Sequence, residues 1–245
     1  MKTSNHLLRR LTAALLAAVL ALSIALPVFA SDDGDTIYIN SVSDLLSLAG
    51  SCAYDQWSVG KTVILQKDLS LEGMLWEPIP SFSGQFKGNG HTISDLTITG
   101  QYSPAGLFGI VEEQGSIESL SVRGVVSVSD SADTTTGGIV GINHGTLISC
   151  QFTGVVTGDS EVGGIVGRNE SEGTIDHSTA RAVVTGKSST GGIAGYNLGA
   201  ITGCTNVGSI NTEYQEASLD TDGFTAKMVD YLNNRMSTAD NDTAN

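Results

Sequence analysis

The chain has 245 residues, of which 26 are acidic and 12 are basic, so its formal net charge at pH 7 is −14. Such strong acidity keeps a protein soluble and argues against nucleic acid and anionic membrane surfaces as partners. Glycine is abundant, with 30 residues, and none of the 4 prolines lies beyond Pro104.

Residues 1–30 have the pattern of a signal peptide. A basic start precedes an apolar run from Leu11 to Leu26, and the small-residue sequence Val28-Phe29-Ala30 resembles a cleavage site. The charges of the basic start belong to Lys2, Arg9 and Arg10. Cleavage would change the net charge from −14 to −17 and start the mature chain near Ser31. No later stretch is long enough to span a membrane, so we expect a secreted protein, either extracellular or associated with the cell surface.

A short helix is predicted near the start of the mature chain. The sequence Ser41-Val42-Ser43-Asp44 matches a capping box, and four apolar residues follow it, Leu45, Leu46, Leu48 and Ala49. We assign residues 31–60 to an N-terminal cap that contains this helix. Residues 61–105 are expected to form irregular first coils, with strands at Thr62–Leu65 and Phe86–Ile93 and a turn at the pair Asn89-Gly90.

One glycine-rich motif recurs four times between residues 106 and 211. The copies are Gly106-Leu107-Phe108-Gly109, Gly138-Ile139-Val140-Gly141, Gly164-Ile165-Val166-Gly167 and Gly192-Ile193-Ala194-Gly195. Their first glycines lie 32, 26 and 28 residues apart. The extra residues fall at only two positions of the unit. One position lies around Glu112 in the first copy and at Glu170–Glu172 in the third, and the other is residues 130–136. We therefore predict that these two places are turns.

The segments between the turns are short and rich in β-branched residues, which favours strands. A unit of about 26 residues with roughly three strands cannot bury its own apolar face, whereas stacked copies bury a continuous core. We therefore predict an all-β fold, a parallel β-helix with one unit per coil and a spacing of about 4.8 Å. A β-propeller is the less favoured alternative because its blades need longer units with four strands. The predicted inward columns are Ile117/Leu147/Ile175/Ile201, Leu120/Cys150/Ser178/Cys204, Val122/Phe152/Ala180/Asn206 and Val126/Val156/Val184/Ile210.

The repetition stops after Ile210. Residues 212–236 are predicted to form a C-terminal cap with an amphipathic helix, because apolar residues recur there at helical spacing. The residues concerned are Phe224, Met228, Tyr231, Leu232 and Arg235. The polar residues 237–245 are expected to be a disordered tail.

Cysteine, asparagine and histidine often form functional sites in proteins, but their positions in this sequence favour structural roles. Cys150 and Cys204 lie two coils apart, about 9 to 10 Å, which is outside bridging range, and Cys52 has no obvious partner. Asn143, Asn169 and Asn197 occupy one repeat position, where stacked side chains bind one another and the backbone. His91, His144 and His177 are isolated, without the spacing of a helical zinc site. We therefore predict no metal and no cofactor.

No catalytic residues are predicted either. The acids near the repeats lie mainly in the variable turns, where charge usually serves solvation, and no calcium-binding repeat is present. These acids are Asp159, Glu161, Glu170, Glu172 and Asp176. We interpret Arg123, Arg168 and Arg181 as occupying different registers, so we expect no obvious basic groove. Aromatic residues in the repeats are few, chiefly Phe108, Phe152 and Tyr196.

The repeat unit, Gly-Gly-Ile-Val-Gly followed by Asn, Gly, Ile or Leu, Cys, Gly and Val, resembles the GLUG repeat of bacterial exported and surface proteins. The helix at Ser41 to Gly50 and the segment from Lys61-Thr62-Val63-Ile64-Leu65 to His91-Thr92-Ile93 look like the part that precedes such repeats, so the resemblance covers about residues 37–210. It implies a right-handed parallel β-helix of the pectin-lyase-like kind on a secreted or wall-associated protein. It transfers no catalytic residue.

The leading functional hypothesis is an exported, non-enzymatic repeat protein, a rigid module for cell-surface, adhesion or glycan interaction. Its partner would be an extracellular glycan or a surface protein. Two alternatives stay open, namely a polysaccharide lyase or hydrolase of the β-helix class, and a passive spacer or fragment of a larger surface protein.

Overall fold

A computed structural model describes residues 35–53, 56–128 and 134–211. The chain divides into two compact units, Met1–Thr36 and Ile37–Asn245, and the second is described here. The predicted signal peptide, C-terminal cap helix and tail lie outside the described residues.

The first part of the fold is irregular and contains the predicted helix. Its elements are β1 (Thr36–Ile39), α1 (Val42–Ser51), β2 (Thr62–Leu65), β3 (Leu69–Ser70), β4 (Ile79–Phe82), β5 (Gln85–Lys87) and β6 (Thr92–Gly100). The hydroxyl of Ser41 accepts a hydrogen bond from the backbone N–H of Asp44, as expected of an N-cap. Leu45 and Leu48 of α1 are buried, so the helix packs its apolar side inward and the predicted capping helix is confirmed.

Four regular coils follow. The first contains β7 (Phe108–Val111), β8 (Ser116–Glu118) and β9 (Ser121–Val128). The second contains β10 (Thr136–Gly137), β11 (Val140–Asn143), β12 (Thr146–Ile148) and β13 (Gln151–Thr157). The third contains β14 (Val162–Gly163), β15 (Val166–Asn169), β16 (Thr174–Asp176) and β17 (Thr179–Thr185). The last contains β18 (Thr190–Gly191), β19 (Ala194–Asn197), β20 (Ala200–Thr202), β21 (Thr205–Asn206) and β22 (Ser209–Ile210).

Equivalent strands of successive coils pair in parallel and build four sheets along a solenoid of about six turns. Sheet A has the order β1-β2-β5-β8-β12-β16-β20, and sheet B has the order β3-β6-β9-β13-β17-β21 with β22 beside β17. Sheet C is β4-β7-β11-β15-β19, and sheet D is β10-β14-β18. The predicted parallel β-helix is confirmed, and each of the last three coils has an additional two-residue strand, in sheet D, that the sequence did not indicate.

The strand register matches the repeat positions read from the sequence. Gly124 pairs with Gly154, and Gly154 pairs with Ala182, so the predicted columns are real stacks. Members of these columns in the first three regular coils are buried, whereas Ile201 and Ile210 of the last coil are 39% and 38% exposed. Within the described residues, the apolar core is therefore continuous through the first three regular coils and becomes partly exposed in the last coil.

Packing explains why the repeat motif ends on glycine. Gly141, Gly167 and Gly195 lie in sheet C where the turn that leads into sheet D crosses over them. A Cβ added at Gly167 would lie 2.6 Å from the backbone nitrogen of Thr136, and the other two would meet equivalent backbone. A larger residue would push this turn away from the sheet.

Candidate functional site

The asparagines predicted to stack do so, as a hydrogen-bonded ladder. Asn143 Nδ2 donates to Asn169 Oδ1 at 2.7 Å, and Asn169 Nδ2 donates to Asn197 Oδ1 at 2.8 Å. Each Nδ2 also donates to the carbonyl of the next repeat glycine, at 3.1 Å in all three coils. Asn143 and Asn169 are fully buried, so the ladder is a structural element and does not face a ligand.

Most of the acids near the repeats are paired with nearby cations. Arg168 on β15 donates two hydrogen bonds to the Glu161 carboxylate, of which Nε to Oε2 measures 2.9 Å, and its Nη1 lies 3.5 Å from Glu170 Oε1. The hydrogen bond to Glu161 raises the pKa of Arg168. The guanidinium also stacks against the Tyr196 ring, 5.1 Å from its centroid. Glu161 and Glu170 are thus brought together by one arginine, which offsets one of their two negative charges.

The remaining acids are distributed over separate corners of the solenoid. Asp159 pairs with Lys187 at 2.6 Å, and Asp176 lies 2.8 Å from Nδ1 of His177. The pKa of Glu172 is lowered, chiefly by a hydrogen bond from Ser171. Within the described ranges, no group of three His, Cys, Asp or Glu side chains is arranged to hold a metal ion.

A small polar depression of about 360 Å³ lies beside the first regular coil. Ser81 donates a hydrogen bond of 2.8 Å to Glu112 at its wall, and Glu113 and His144 also line it. The depression thus gathers two carboxylates and one imidazole, and the Glu112 carboxylate among them is engaged by Ser81.

The cysteine column is more polar than its sequence suggests. The thiol of Cys150 is buried, and its Sγ donates to the carbonyls of Ile117 and Ile148 at 3.5 and 3.4 Å. In the next coil the hydroxyl of Ser178 accepts from the Cys150 N–H at 3.1 Å, and Cys204 Sγ accepts from the Ser178 N–H. All three cysteines are free thiols. The column is buried at Leu120, Cys150 and Ser178, as its predicted inward position requires, and its hydrogen bonds add polar contacts at this corner of the solenoid.

The outer surface of sheet B differs in charge from the rest of the chain. We define the arginine face as the outward side chains of β9, β13 and β17, which are the residues Ser121, Arg123, Val125, Ser127, Gln151, Thr153, Val155, Thr157, Thr179, Arg181, Val183 and Thr185. None of them is acidic, although the chain has 26 acidic residues. The face therefore carries positive charge on a strongly negative protein.

The register of sheet B corrects one sequence-based interpretation. Arg123 and Arg181 both pair with Thr153, one coil to either side, so the two arginines occupy one row and not different registers. The signal was available, because each lies eight residues after its repeat glycine, Gly115 or Gly173. Only Arg168, on sheet C, is out of register with them.

The rows of the arginine face are chemically distinct. Ser121, Gln151 and Thr179 form a row of hydrogen-bonding side chains on one side of the arginines. On the other side Val125, Val155 and Val183 form an aliphatic row that is 40%, 36% and 47% exposed. The face thus offers hydrogen-bonding, cationic and apolar contacts in parallel stripes that cross the coils.

Two shallow depressions lie at the ends of the arginine row. One, of about 560 Å³, is lined by Thr153, Gly154 and Arg181, and by residues of the last coil. The other, of about 350 Å³, is lined by Arg123 together with Asp68 and the hydroxyl residues Ser70, Thr92 and Ser94. Neither arginine makes an ion pair or hydrogen bond with any residue of the described ranges. Their guanidinium groups are therefore available to a ligand.

Comparisons with known proteins agree with the repeat. The family model described as "The GLUG motif" matches residues 158–185, so the chain carries this motif, as the sequence predicts. The chain is 35% identical over 155 residues to halomucin of Haloquadratum walsbyi, a match that covers 58% of this chain and 2% of halomucin. It is 30% identical over 137 residues to a protein of Evansella cellulosilytica named as a Gly-rich membrane protein, covering 40% of this chain and 16% of that one.

The chain therefore spans only a small part of these relatives. Among solved structures, it is similar to a protein of Bacteroides ovatus named as an immunoglobulin A1 protease, with 16% identity and a TM-score of 0.45 over 76% of this chain and 80% of that one. No helix within the described ranges is long and apolar enough to cross a bilayer.

Proposed function

We propose that this chain, a stacked parallel β-solenoid that carries the GLUG motif, is a non-enzymatic repeat module of an exported protein and acts at the cell surface. The module would hold a partner-binding surface rigidly at a distance from its attachment. Its relatives are named halomucin and a Gly-rich membrane protein, names that fit a surface location. The sequence pattern of a signal peptide at residues 1–30 supports export.

The observation that carries the proposal is the arginine face. Structural demands explain the buried columns, the glycines and the asparagine ladder, but they do not require two arginines and no acid on an exposed face. If solubility alone determined this surface, acidic residues would be favoured on the arginine face, as on the rest of the protein. A face of this kind is typical of a binding surface, and its partner would be an extracellular glycan or a surface protein.

The test is binding of the purified chain to an array of glycans and extracellular-matrix proteins, together with surface labelling of intact cells that express it. We expect accessible protein on the cell surface and selective binding to one class of array component. Absence of the protein from the surface, or silence against every class on the array, would overturn the proposal.

A polysaccharide-degrading activity is the alternative from a different class. It would need a carboxylate acid–base pair, whereas Glu161 and Glu170 are bound to Arg168. Its test is the release of reducing ends or unsaturated sugars from acidic polysaccharides, lost in Asp176→Ala or Glu172→Ala. A passive spacer, the remaining alternative, predicts no selective binding to any component of the array.

A further inference from the structure

We propose that the arginine face binds a carboxylate-bearing polysaccharide that runs across the coils, along the solenoid axis. This inference rests on the proposed function, because it names the ligand class and the site of the same surface module.

Charge selects the class of ligand. Arg123 and Arg181 are exposed, and the outward positions of β9, β13 and β17 contain no carboxylate that could neutralise them. The negative charge of the rest of the chain is screened over a Debye length of about 8 Å at physiological ionic strength. A ligand over β9, β13 and β17 therefore meets the two arginines and no carboxylate of these strands, while Asp68 lies beside Arg123 at the N-terminal end of the row.

The shape of the guanidinium group favours carboxylate. Its planar N–H groups match the two oxygens of a carboxylate in a bidentate hydrogen bond. Arg168 already binds Glu161 through two nitrogens, so this chain uses the same geometry within sheet C. On sheet B the equivalent carboxylate would come from the ligand.

The register sets the direction and period of the ligand. Arg123 and Arg181 are separated by Thr153 in one parallel row, so their backbones lie about 9.6 Å apart, twice the usual spacing of paired strands. A chain that lies across the strands would meet a cation in every second coil. A polymer with regularly repeated carboxylates can satisfy both arginines at once, which raises its avidity over that of a single acidic sugar.

The neighbouring rows fit the rest of a sugar chain. Ser121, Gln151 and Thr179 can exchange hydrogen bonds with sugar hydroxyls, and the exposed valines can contact the apolar C–H face of the rings. Asp95 marks the N-terminal boundary of the arginine face. It lies at the bulge in β6, opposite Arg123 on β9. Its carboxylate accepts hydrogen bonds from Ser70 and Ser94 at 2.6 and 2.8 Å, and these lower its pKa. The ligand is therefore expected to lie over β9, β13 and β17.

The experiment is a titration of the purified chain with polygalacturonate, with dextran as the neutral probe and dextran sulfate as the sulfated probe. Arg123→Gln and Arg181→Gln each should weaken polygalacturonate binding by on the order of tenfold, the loss of one charge-assisted contact. Thr153→Arg adds a third cation to the row and should strengthen binding. Lys87→Gln, which removes the same charge from sheet A opposite Glu118, is the matched control and should change little.

Circular dichroism and thermal unfolding of each variant verify that it folds, which we expect because these side chains are exposed. Tighter binding of dextran sulfate at equal charge would overturn the carboxylate assignment. Binding that is insensitive to the arginine variants would overturn the site, while leaving the proposed surface function intact if the array is positive. Silence of both the titration and the array would overturn the two proposals together.

Discussion

Asn143 and Asn169 lie in adjacent coils and share a buried hydrogen bond of 2.7 Å from Nδ2 to Oδ1. The ladder has a direction, since the amide nitrogens of Asn143 and Asn169 each donate to the asparagine of the next coil toward the C-terminal end. Its first oxygen, Oδ1 of Asn143, is buried without a hydrogen-bond partner among the described residues. The residue that pairs with Asn143 in the preceding coil is Val111, whose side chain has no hydrogen-bond donor.

We expect Asn169→Ala to destabilise the fold strongly. The change removes the acceptor of Asn143 Nδ2, the donor to Asn197 Oδ1 and the donor to the Gly173 carbonyl. Buried groups that lose their partners cost about 1–3 kcal/mol each, so a loss of about 3 kcal/mol is expected in urea unfolding. The control Asn197→Ala lies at the exposed end of the ladder and should cost less. Equal losses for the two variants would contradict the ladder as a source of stability.

Gly154→Ala should be among the most damaging single-methyl substitutions in the chain. Gly154 has a φ of +149°, and a Cβ placed there would collide with the carbonyl oxygen of Gly124 in the preceding coil. Strain and collision together should cost about 3 kcal/mol or more. Gly50→Ala in α1 is the control, because no atom lies within 4 Å of the added Cβ, and it should be neutral or slightly stabilising. A Gly154→Ala variant as stable as the control would show that the coils can separate there.

Much of the fold was predictable because each repeat position has one dominant physical role. The Asn89-Gly90 turn, the capping box at Ser41 and the inward columns depend on neighbours that are close in sequence or at the repeat period. The polar role of the Cys150 column was harder to predict. It depends on whether Sγ reaches a carbonyl at a corner, and residue type alone does not distinguish that from apolar burial.

The position of the candidate site could be predicted from the sequence only by counting from the second glycine of each repeat. Arg123 and Arg181 share a row because the insertions fall in the turns before their strands and not within the strands. The shared row is therefore visible only when residues are counted from Gly115 and from Gly173. The left-handed backbone of Ser119, Ser149 and His177, with φ near +50° in each coil, was not predicted. Such residues form the corner before the cysteine column, and no distinctive residue type marks the position.

The cysteines make stability sensitive to alkaline pH. Burial raises the pKa of the Cys150 thiol to about 12 and that of Cys52 to about 11, from the 9.0 that is ordinary for a cysteine thiol. A thiol whose pKa is higher in the folded state contributes stability that is fully present below pH 9 and is lost as pH rises through the folded pKa. We therefore expect the free energy of unfolding to fall between pH 9 and 12.

Cys150→Ser should reduce this alkaline loss without breaking the corner. Ser178 shows that a hydroxyl fits the same column, because its Oγ donates to the Asp176 carbonyl at 3.1 Å. Urea unfolding at pH 7, 9 and 10.5 measures the effect, and a smaller slope should persist in the variant because Cys52 still titrates. Identical pH profiles for the variant and the original chain would mean that Cys150 is not the responsible group.

Phe86→Ala tests how tightly the irregular first coils are coupled to the repeats. The Phe86 ring lies 6.3 Å from that of Phe82 and 5.5 Å from that of Phe108, so it joins β4, β5 and β7. A buried Phe→Ala change costs about 3–5 kcal/mol. In a solenoid each coil contacts only its neighbours, so this loss should also separate the unfolding of the N-terminal coils from that of the later ones.

Fluorescence of Trp76, which is buried in the N-terminal coils, should then change at a lower urea concentration than the far-ultraviolet circular dichroism of the whole chain. Phe152→Ala, at a regular coil, is the comparison, and coincident transitions in Phe86→Ala would show that the coupling does not depend on this cluster.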